Sequence, residues 1–155
     1  MTVARLMARK FDRAVHLKSD DFLHAIESGY IDPWKPESNE QNDVVMQVVG
    51  DAAVSFAKAR YVTIVEGVIL PGWYYEPLVS RIRSEGIEVD TVVLRPSLAA
   101  CVRRAGNRTS RPLDDQAVIE QLWNGFEDLG DLERVVIDNS AGDPEESADV
   151  ISARL

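Results

Sequence analysis

Short runs of apolar, mostly β-branched residues alternate along this chain with longer segments in which apolar residues recur at helical spacing. Four of the runs predict buried strands, at residues 14–17, 61–65, 89–94 and 135–137. The segments between them predict helices, and the longest helix follows Asn39 with a broad apolar face that includes Val44, Val48 and Phe56. Strands that alternate with helices predict an α/β fold of three layers, α/β/α, with a mainly parallel sheet.

Composition and length favour one compact domain. The chain has 155 residues, of which 45% are hydrophobic, and this predicts a single domain over residues 1–155 with a sizeable core. No apolar run is long enough to span a bilayer, and the single cysteine, Cys101, allows no internal disulfide. We therefore expect a cytoplasmic protein with no membrane partner. His16 and His24 are too few for a metal cluster of histidine and cysteine, and we interpret both as packing or surface residues.

The charge of the chain is unevenly distributed. The net charge of −9 makes nucleic acid an unlikely partner. Between Arg81 and Arg111, however, seven arginines stand against three acidic residues, whereas from Pro112 onward twelve acidic residues stand against two arginines. A local basic region on an acidic protein favours a small anionic ligand over a long polyanion.

Acidic residues follow two of the predicted strands. Ser19, Asp20 and Asp21 come after the first strand, and Glu66 and Gly67 come at the end of the second. In a parallel α/β sheet, ligands bind beyond the carboxyl ends of the strands, so these carboxylates are candidates for chemistry. The alternatives are that Ser19 or Asp20 caps a helix that begins near residue 22, and that Glu66 only reaches solvent.

Four arginines lie within nine residues, around a predicted break between two helices. They are Arg103, Arg104, Arg108 and Arg111. The planar guanidinium group pairs with phosphate oxygens and stays charged, so the cluster is a candidate phosphate-binding segment. The alternative is a solvated turn in which these arginines pair with the acidic residues that follow.

The order helix, strand, Ser-Asp-Asp, helix, together with the strand that ends in Glu66-Gly67, resembles small P-loop kinases. Within these kinases it is most similar to the chloramphenicol phosphotransferase-like group and to gluconate and shikimate kinase-like proteins. The resemblance covers nearly the whole chain in element order. It implies a sheet of order 2-3-1-4-5 and transfer of a phosphoryl group from ATP, with Mg²⁺, to a hydroxyl of a small-molecule substrate.

The resemblance also assigns roles to individual residues. It implies that Asp20 is the base that accepts the acceptor's proton, and that Arg104 and Arg111 act from a lid at about residues 103–115. It further implies Thr2, Arg103, Arg108, Asn139 and Ser140 for the nucleotide, Asp21, Gly67, Trp73 and Tyr74 for the acceptor, and Glu66 for the metal ion. Asn139 and Ser140 also fit an ordinary turn, and at least one of the aromatic residues fits core packing.

The sequence departs from the family in its most specific motif. The glycine-rich loop G-x-x-x-x-G-K-[ST] and the central first strand that leads into it are not among the 155 residues, and Met1 stands near the position of that motif's hydroxyl residue. The preferred explanation is a start site set too late or a truncated longer protein. Direct closure of two half-sheets, or a strand exchanged in a homo-oligomer, would also accommodate the gap.

Without that loop, we expect little or no ATP hydrolysis by this chain alone. The alternative function is a non-catalytic remnant that binds an anionic ligand or a protein partner.

Overall fold

Helices and strands alternate along the whole computed structural model, which describes residues 2–107 and 115–154. The elements are α1 (Val3–Ala8), β1 (Ala14–Lys18), α2 (Ser19–Leu23), α3 (Asn39–Lys58), β2 (Val62–Glu66), α4 (Tyr75–Arg83), β3 (Val93–Leu94), α5 (Leu98–Gly106), α6 (Gln116–Asn124), β4 (Val136–Ile137) and α7 (Pro144–Ser152). Short 3₁₀ helices at Pro36–Ser38 and Gly130–Val135 precede α3 and β4. None of the helices in the described ranges is long and apolar enough to cross a bilayer.

The strands form two parallel pairs. In the first pair, β1 and β2 run in register from Ala14 opposite Val62 to Lys18 opposite Glu66. In the second pair, Val93 and Leu94 of β3 lie opposite the two residues of β4. Within the described ranges no strand pairing joins the two sheets. The predicted α/β class with parallel strands is confirmed, and these two pairs are the neighbours that the order 2-3-1-4-5 leaves when its first strand is removed.

Helices cover both faces of the β1–β2 sheet. On one face, Leu17 packs with Val49 of α3 and Leu78 of α4 in the larger apolar core. On the other face, Ile64 of β2 packs against a smaller core that also includes Ile137 of β4. That smaller core contains Met7 of α1 and Ala148 and Ile151 of α7. Strands of both sheets therefore pack against the same two helices, α1 and α7, and the two sheets share this side of the core.

Two features are smaller than the sequence predicted: the apolar face of α3 and the length of β3. The apolar face of α3 is narrower than predicted, because Val45 and Val49 are buried while Val44 and Val48 are 55% and 47% exposed. The third strand is also shorter than residues 89–94, since only Val93–Leu94 pairs with the two-residue strand β4. Only the residues that have a partner in β4 form the ladder of hydrogen bonds that defines the strand.

An ion pair links the end of β3 to the 3₁₀ helix before β4. Arg95, directly after β3, donates from Nη1 and Nη2 to Glu133 Oε1 and Oε2 at 2.7 and 2.9 Å. Arg95 Nη1 also donates to the Phe126 carbonyl at 2.7 Å. The Arg95 side chain is 24% exposed, so this pair is partly shielded from solvent. The hydrogen bond from Arg95, followed by the backbone N–H of Leu129, lowers the pKa of the Glu133 carboxyl.

This ion pair predicts a pH dependence of stability. Because the folded pKa of Glu133 lies below its ordinary value of 4.5, its contribution is fully present above that pH and is lost as the pH falls through the folded pKa. We expect Glu133→Gln to unfold at lower urea than the wild type at neutral pH, and the two midpoints to converge at an acidic pH below the folded pKa of Glu133. Glu120→Gln, an exposed change on α6, is the control and should leave the midpoint unchanged. A midpoint difference that is equally large at both pH values would contradict this account.

Candidate functional site

Ser19 and Gly67 bring the carboxyl ends of β1 and β2 into close contact. Lys18 and Glu66 lie opposite each other as the last pair of the register, and Ser19 and Gly67 are the residues that follow them. Ser19 is only 5% exposed, and a Cβ placed on Gly67 would lie 2.1 Å from Ser19 Oγ. A side chain at Gly67 would clash with Ser19 as it is placed, and Asp20 and Glu66, which flank this contact, lie at the same edge of the sheet because Lys18 pairs with Glu66.

The Glu66 carboxylate receives two hydrogen bonds from residues near the start of the chain. Its Oε2 accepts from Thr2 Oγ1 at 3.1 Å and from His16 Nε2 at 2.6 Å. Thr2 is also the N-cap of α1, where its hydroxyl oxygen accepts from the Arg5 N–H at 3.3 Å. The structure thus brings together two residues predicted for the nucleotide and its metal ion, Thr2 and Glu66, although 64 positions separate them.

His16 is the member of this group that the sequence interpretation missed. Its side chain is 15% exposed and lies on the same face of β1 and β2 as Ile64, its partner in the register. In this register His16 is diagonal to Glu66, within reach of a long side chain. His16 is a polar residue in an apolar strand, and it comes two positions before Lys18, which pairs with Glu66. This spacing is the signal that would have identified it.

The two aspartates after β1 lie in the first turn of α2. This helix begins at Ser19 rather than near residue 22, and its N-cap is Lys18, with no side-chain capping hydrogen bond. The capping alternative for Ser19 and Asp20 was therefore wrong. Acidic residues in a first turn are favoured by the helix dipole, which explains the early start. The Asp20 carboxylate is 40% exposed and 3.4 Å from Lys18 Nζ, and Asp21 is exposed.

A cavity of about 220 Å³ lies beyond the end of β4. We call it the β4 cavity; it is lined by Ile137, Asp138, Asn139, Ser140, Ala141, Gly142, Glu146, Ser147 and Val150. Asn139 Oδ1 is buried and has no hydrogen-bond partner among the described residues. The Ser140 hydroxyl accepts from the Ser97 N–H at 2.7 Å and donates to the Asp138 carboxylate. The hydroxyl and backbone N–H of Ser140, and then the charge of Arg104, lower the pKa of Asp138.

Arg104 connects α5 to the β4 cavity. Its Nη2 donates to the Asn139 carbonyl at 2.6 Å, and so a guanidinium group lies beside the loop predicted to contact the nucleotide base. Arg103 is exposed in the same helix turn. Arg108 and Arg111 lie outside the described residues, as does most of the segment predicted to form a lid, so their assigned roles stay predictions.

A second cavity, of about 230 Å³, adjoins the aromatic residues that follow β2. We call it the tryptophan cavity; it is lined by Pro33, Trp34, Lys35, Pro36, Asn39, Leu70, Trp73, Gln121 and Leu122. Of the two aromatic residues predicted for the acceptor, Trp73 lines this cavity, whereas Tyr74 is 7% exposed in the core. Burial raises the pKa of the Tyr74 hydroxyl.

Comparison with known proteins gives a match in structure alone. A scan against protein-family models and a search of curated proteins found no match. Among solved structures, the tunicamycin resistance protein of Deinococcus radiodurans superposes with a TM-score of 0.68 at 16% sequence identity, over 99% of this chain and 88% of that chain. The fold is P-loop kinase-like.

In a P-loop kinase-like fold, the edge that holds Asp20 and Glu66 is the edge where ligands of parallel α/β sheets bind. The expected fold is supported by the structural similarity to a protein that shares only 16% of its sequence. The narrower assignment to the chloramphenicol phosphotransferase-like group stays a prediction. Within the described ranges, no group of three or more histidine, cysteine, aspartate or glutamate side chains could hold a metal ion unaided.

The contact between Ser19 and Gly67 predicts the outcome of a double substitution. Gly67→Ala should destabilise the protein by about 1–3 kcal/mol, because the new Cβ has no space beside Ser19 Oγ. Adding Ser19→Gly removes both atoms that lie within 3.0 Å of that Cβ, and should restore at least half of the loss. Urea unfolding monitored by circular dichroism measures both changes.

The matched control is Gly106→Ala at the end of α5, where a Cβ would meet none of the described residues within 4 Å and helix propensity favours alanine. It should be neutral or slightly stabilising. The close contact would be disproved by a Gly67→Ala variant as stable as the wild type, or by a double variant less stable than Gly67→Ala alone.

Proposed function

We propose that this chain is a relative of ATP-dependent small-molecule kinases, whose reaction is transfer of the γ-phosphoryl group of ATP to a hydroxyl. The contact between Thr2 Oγ1 and Glu66 Oε2 carries the proposal. A hydroxyl at the start of a helix and a carboxylate at the end of a neighbouring strand are the two protein groups through which P-loop enzymes hold Mg²⁺ with a nucleotide.

The residues at this edge are chemically suited to a magnesium ion. Mg²⁺ prefers oxygen ligands, keeps several waters, and is usually held by one or two carboxylates together with substrate phosphates. Glu66 and Thr2 are the residues that would hold it, and His16 fixes the orientation of the Glu66 carboxylate. When bound, the ion neutralises charge on the phosphates and so eases attack by a hydroxyl.

The β4 cavity has the chemistry of a site for the nucleotide base. Its polar lining is rich in acceptors, since the carboxylates of Asp138 and Glu146 accompany Asn139 Oδ1, which has no partner within residues 2–107 and 115–154. Its apolar lining includes Ile137 and Val150. A flat base with an exocyclic amino group matches both features, because its faces are apolar and its edge donates a hydrogen bond. An anionic phosphate would instead meet like charge, which supports adenine rather than phosphate in this cavity.

Arg104 and Asp20 have complementary roles in this proposal. The Arg104 guanidinium, beside the β4 cavity, stays charged and can pair with phosphate oxygens of a nucleotide whose base lies in that cavity. Asp20 offers an accessible carboxylate that can accept the proton of the acceptor hydroxyl as the bond to phosphorus forms.

Metal-dependent nucleotide binding tests the proposal. We expect Mg²⁺ to tighten ATP binding by the wild-type chain in isothermal titration calorimetry. Glu66→Gln keeps the size of the side chain but removes its charge, and should weaken binding in the presence of Mg²⁺ roughly 10-fold, or about 1.4 kcal/mol, with little effect in its absence.

Glu127→Gln, an exposed change away from both cavities, is the control and should behave as the wild type. ATP binding that is the same with and without Mg²⁺ would contradict the kinase proposal. If Arg104→Ala also abolished that metal-independent binding, the result would favour the alternative of a non-catalytic protein that binds an anion.

A further inference from the structure

The tryptophan cavity is built from three segments that meet only in the folded chain. One wall is the loop after α2, a second is the segment that follows β2, and the third is α6. The first segment follows α2, which starts at the end of β1 and holds Asp20, and the second segment follows Glu66 at the end of β2. The cavity therefore belongs to the same edge of the molecule as the proposed phosphoryl-transfer site.

Buried polar side chains hold the first wall in place. The loop of residues 31–38 has little regular structure, yet Gln41 Oε1 accepts from the Ile31 N–H at 2.8 Å and Gln41 Nε2 donates to the Ile31 carbonyl at 2.7 Å. Asn42 Nδ2 donates to the Pro33 carbonyl at 2.8 Å, and Ser38 Oγ donates to the Lys35 carbonyl at 2.7 Å. Ser38 and Asn42 are 0% and 3% exposed. The backbone on both sides of Trp34 is thus fixed in advance, as in ligand sites that are largely preformed.

Close packing holds the other two walls. The Trp73 ring lies against the buried Tyr74 ring, with centroids 4.4 Å apart. At the end of α6, Gly125 leaves room for Leu70, because a Cβ at Gly125 would lie 2.8 Å from Leu70 Cδ1. Trp73 and Leu70 therefore have fixed supports, and the position of α6 depends on the absence of a side chain at Gly125.

The lining combines apolar rings with groups that recognise hydroxyls. Two indole rings and two prolines form apolar surfaces that suit the face of a ring. The amides of Asn39 and Gln121 can each donate and accept hydrogen bonds, as hydroxyl groups require. Lys35 adds a positive charge that the Asp32 carboxylate, 2.8 Å away, partly balances. A ring with an apolar face and a hydroxylated edge satisfies all of these groups.

We propose that the tryptophan cavity binds the ring of a hydroxylated cyclic molecule, a sugar or the sugar of a nucleoside, as the phosphoryl acceptor. The role of this ligand as the phosphoryl acceptor rests on the proposed function. The cavity of about 230 Å³ is smaller than a typical drug-sized site, and so takes one ring rather than a whole large molecule.

Fluorine NMR of the full chain labelled with 5-fluorotryptophan tests this inference. Of the chain's three tryptophans, Trp34 and Trp73 line the cavity, whereas Trp123 donates from Nε1 to the Pro96 carbonyl at 2.9 Å. The probes are methyl α-D-glucopyranoside and cytidine, with sorbitol as an acyclic control of similar polarity. We expect at least one ring probe to shift the Trp34 and Trp73 resonances and leave Trp123 unchanged, and sorbitol to shift none.

Substitutions then test which walls bind the probe. Trp34→Ala should weaken binding of the effective ring probe roughly 5-fold, and Gln121→Leu, an exposed change on α6, should do so without loss of stability. Binding of the glucopyranoside favours a free sugar as the ligand, and binding of cytidine favours a nucleoside. The inference is overturned if neither ring probe shifts Trp34 and Trp73, or if sorbitol shifts them equally.

The outcome separates this inference from the proposed function, because these titrations contain neither ATP nor metal. Ring binding without metal-dependent ATP binding would support the ring site but overturn its role in phosphoryl transfer. Metal-dependent ATP binding without ring binding would overturn the assignment of this cavity alone.

Discussion

The contact of Ser19 with Gly67 is the constraint on which the candidate site depends. It lets two parallel strands end level with each other, and so places Asp20 and Glu66 at one edge of the sheet. With β2 fixed in this way, the Glu66 carboxylate is within hydrogen-bond distance of both Thr2 and His16. A single added methyl group at Gly67 would therefore disturb the whole arrangement, although it touches none of the charged groups directly.

The second half of the proposed site lies on the other strand pair, and the shared apolar core connects the two halves. Ile64 of β2 and Ile137 of β4 pack in the same cluster with helices α1 and α7, so Glu66 and the β4 cavity extend from one framework. In the proposed complex the base lies in the β4 cavity, the metal ion lies at Glu66, and the acceptor ring lies in the tryptophan cavity. Each of these regions has a different chemistry, respectively acceptor-rich, anionic, and apolar with amide groups.

Local patterns in the sequence predicted the fold class and several element boundaries well. The four strands were found because buried apolar runs are short. The start of α7 also has a local cause, because Asp143 precedes a proline and its Oδ1 accepts the Glu146 N–H at 2.7 Å. Features that depend on tertiary contacts were missed. His16 acquires its partner only through the register of β1 with β2, and the loop at residues 31–38 is ordered by side chains of α3 that no local pattern connects to it.

In the proposed complex, both strand pairs contribute to one nucleotide site. Titration of the chain with MgATP, followed by amide NMR, tests it most directly. The account predicts that the Gly67 backbone amide and the Asn139 side-chain amide shift together, with one common dissociation constant. Shifts confined to one strand pair, or two unrelated dissociation constants, would contradict it.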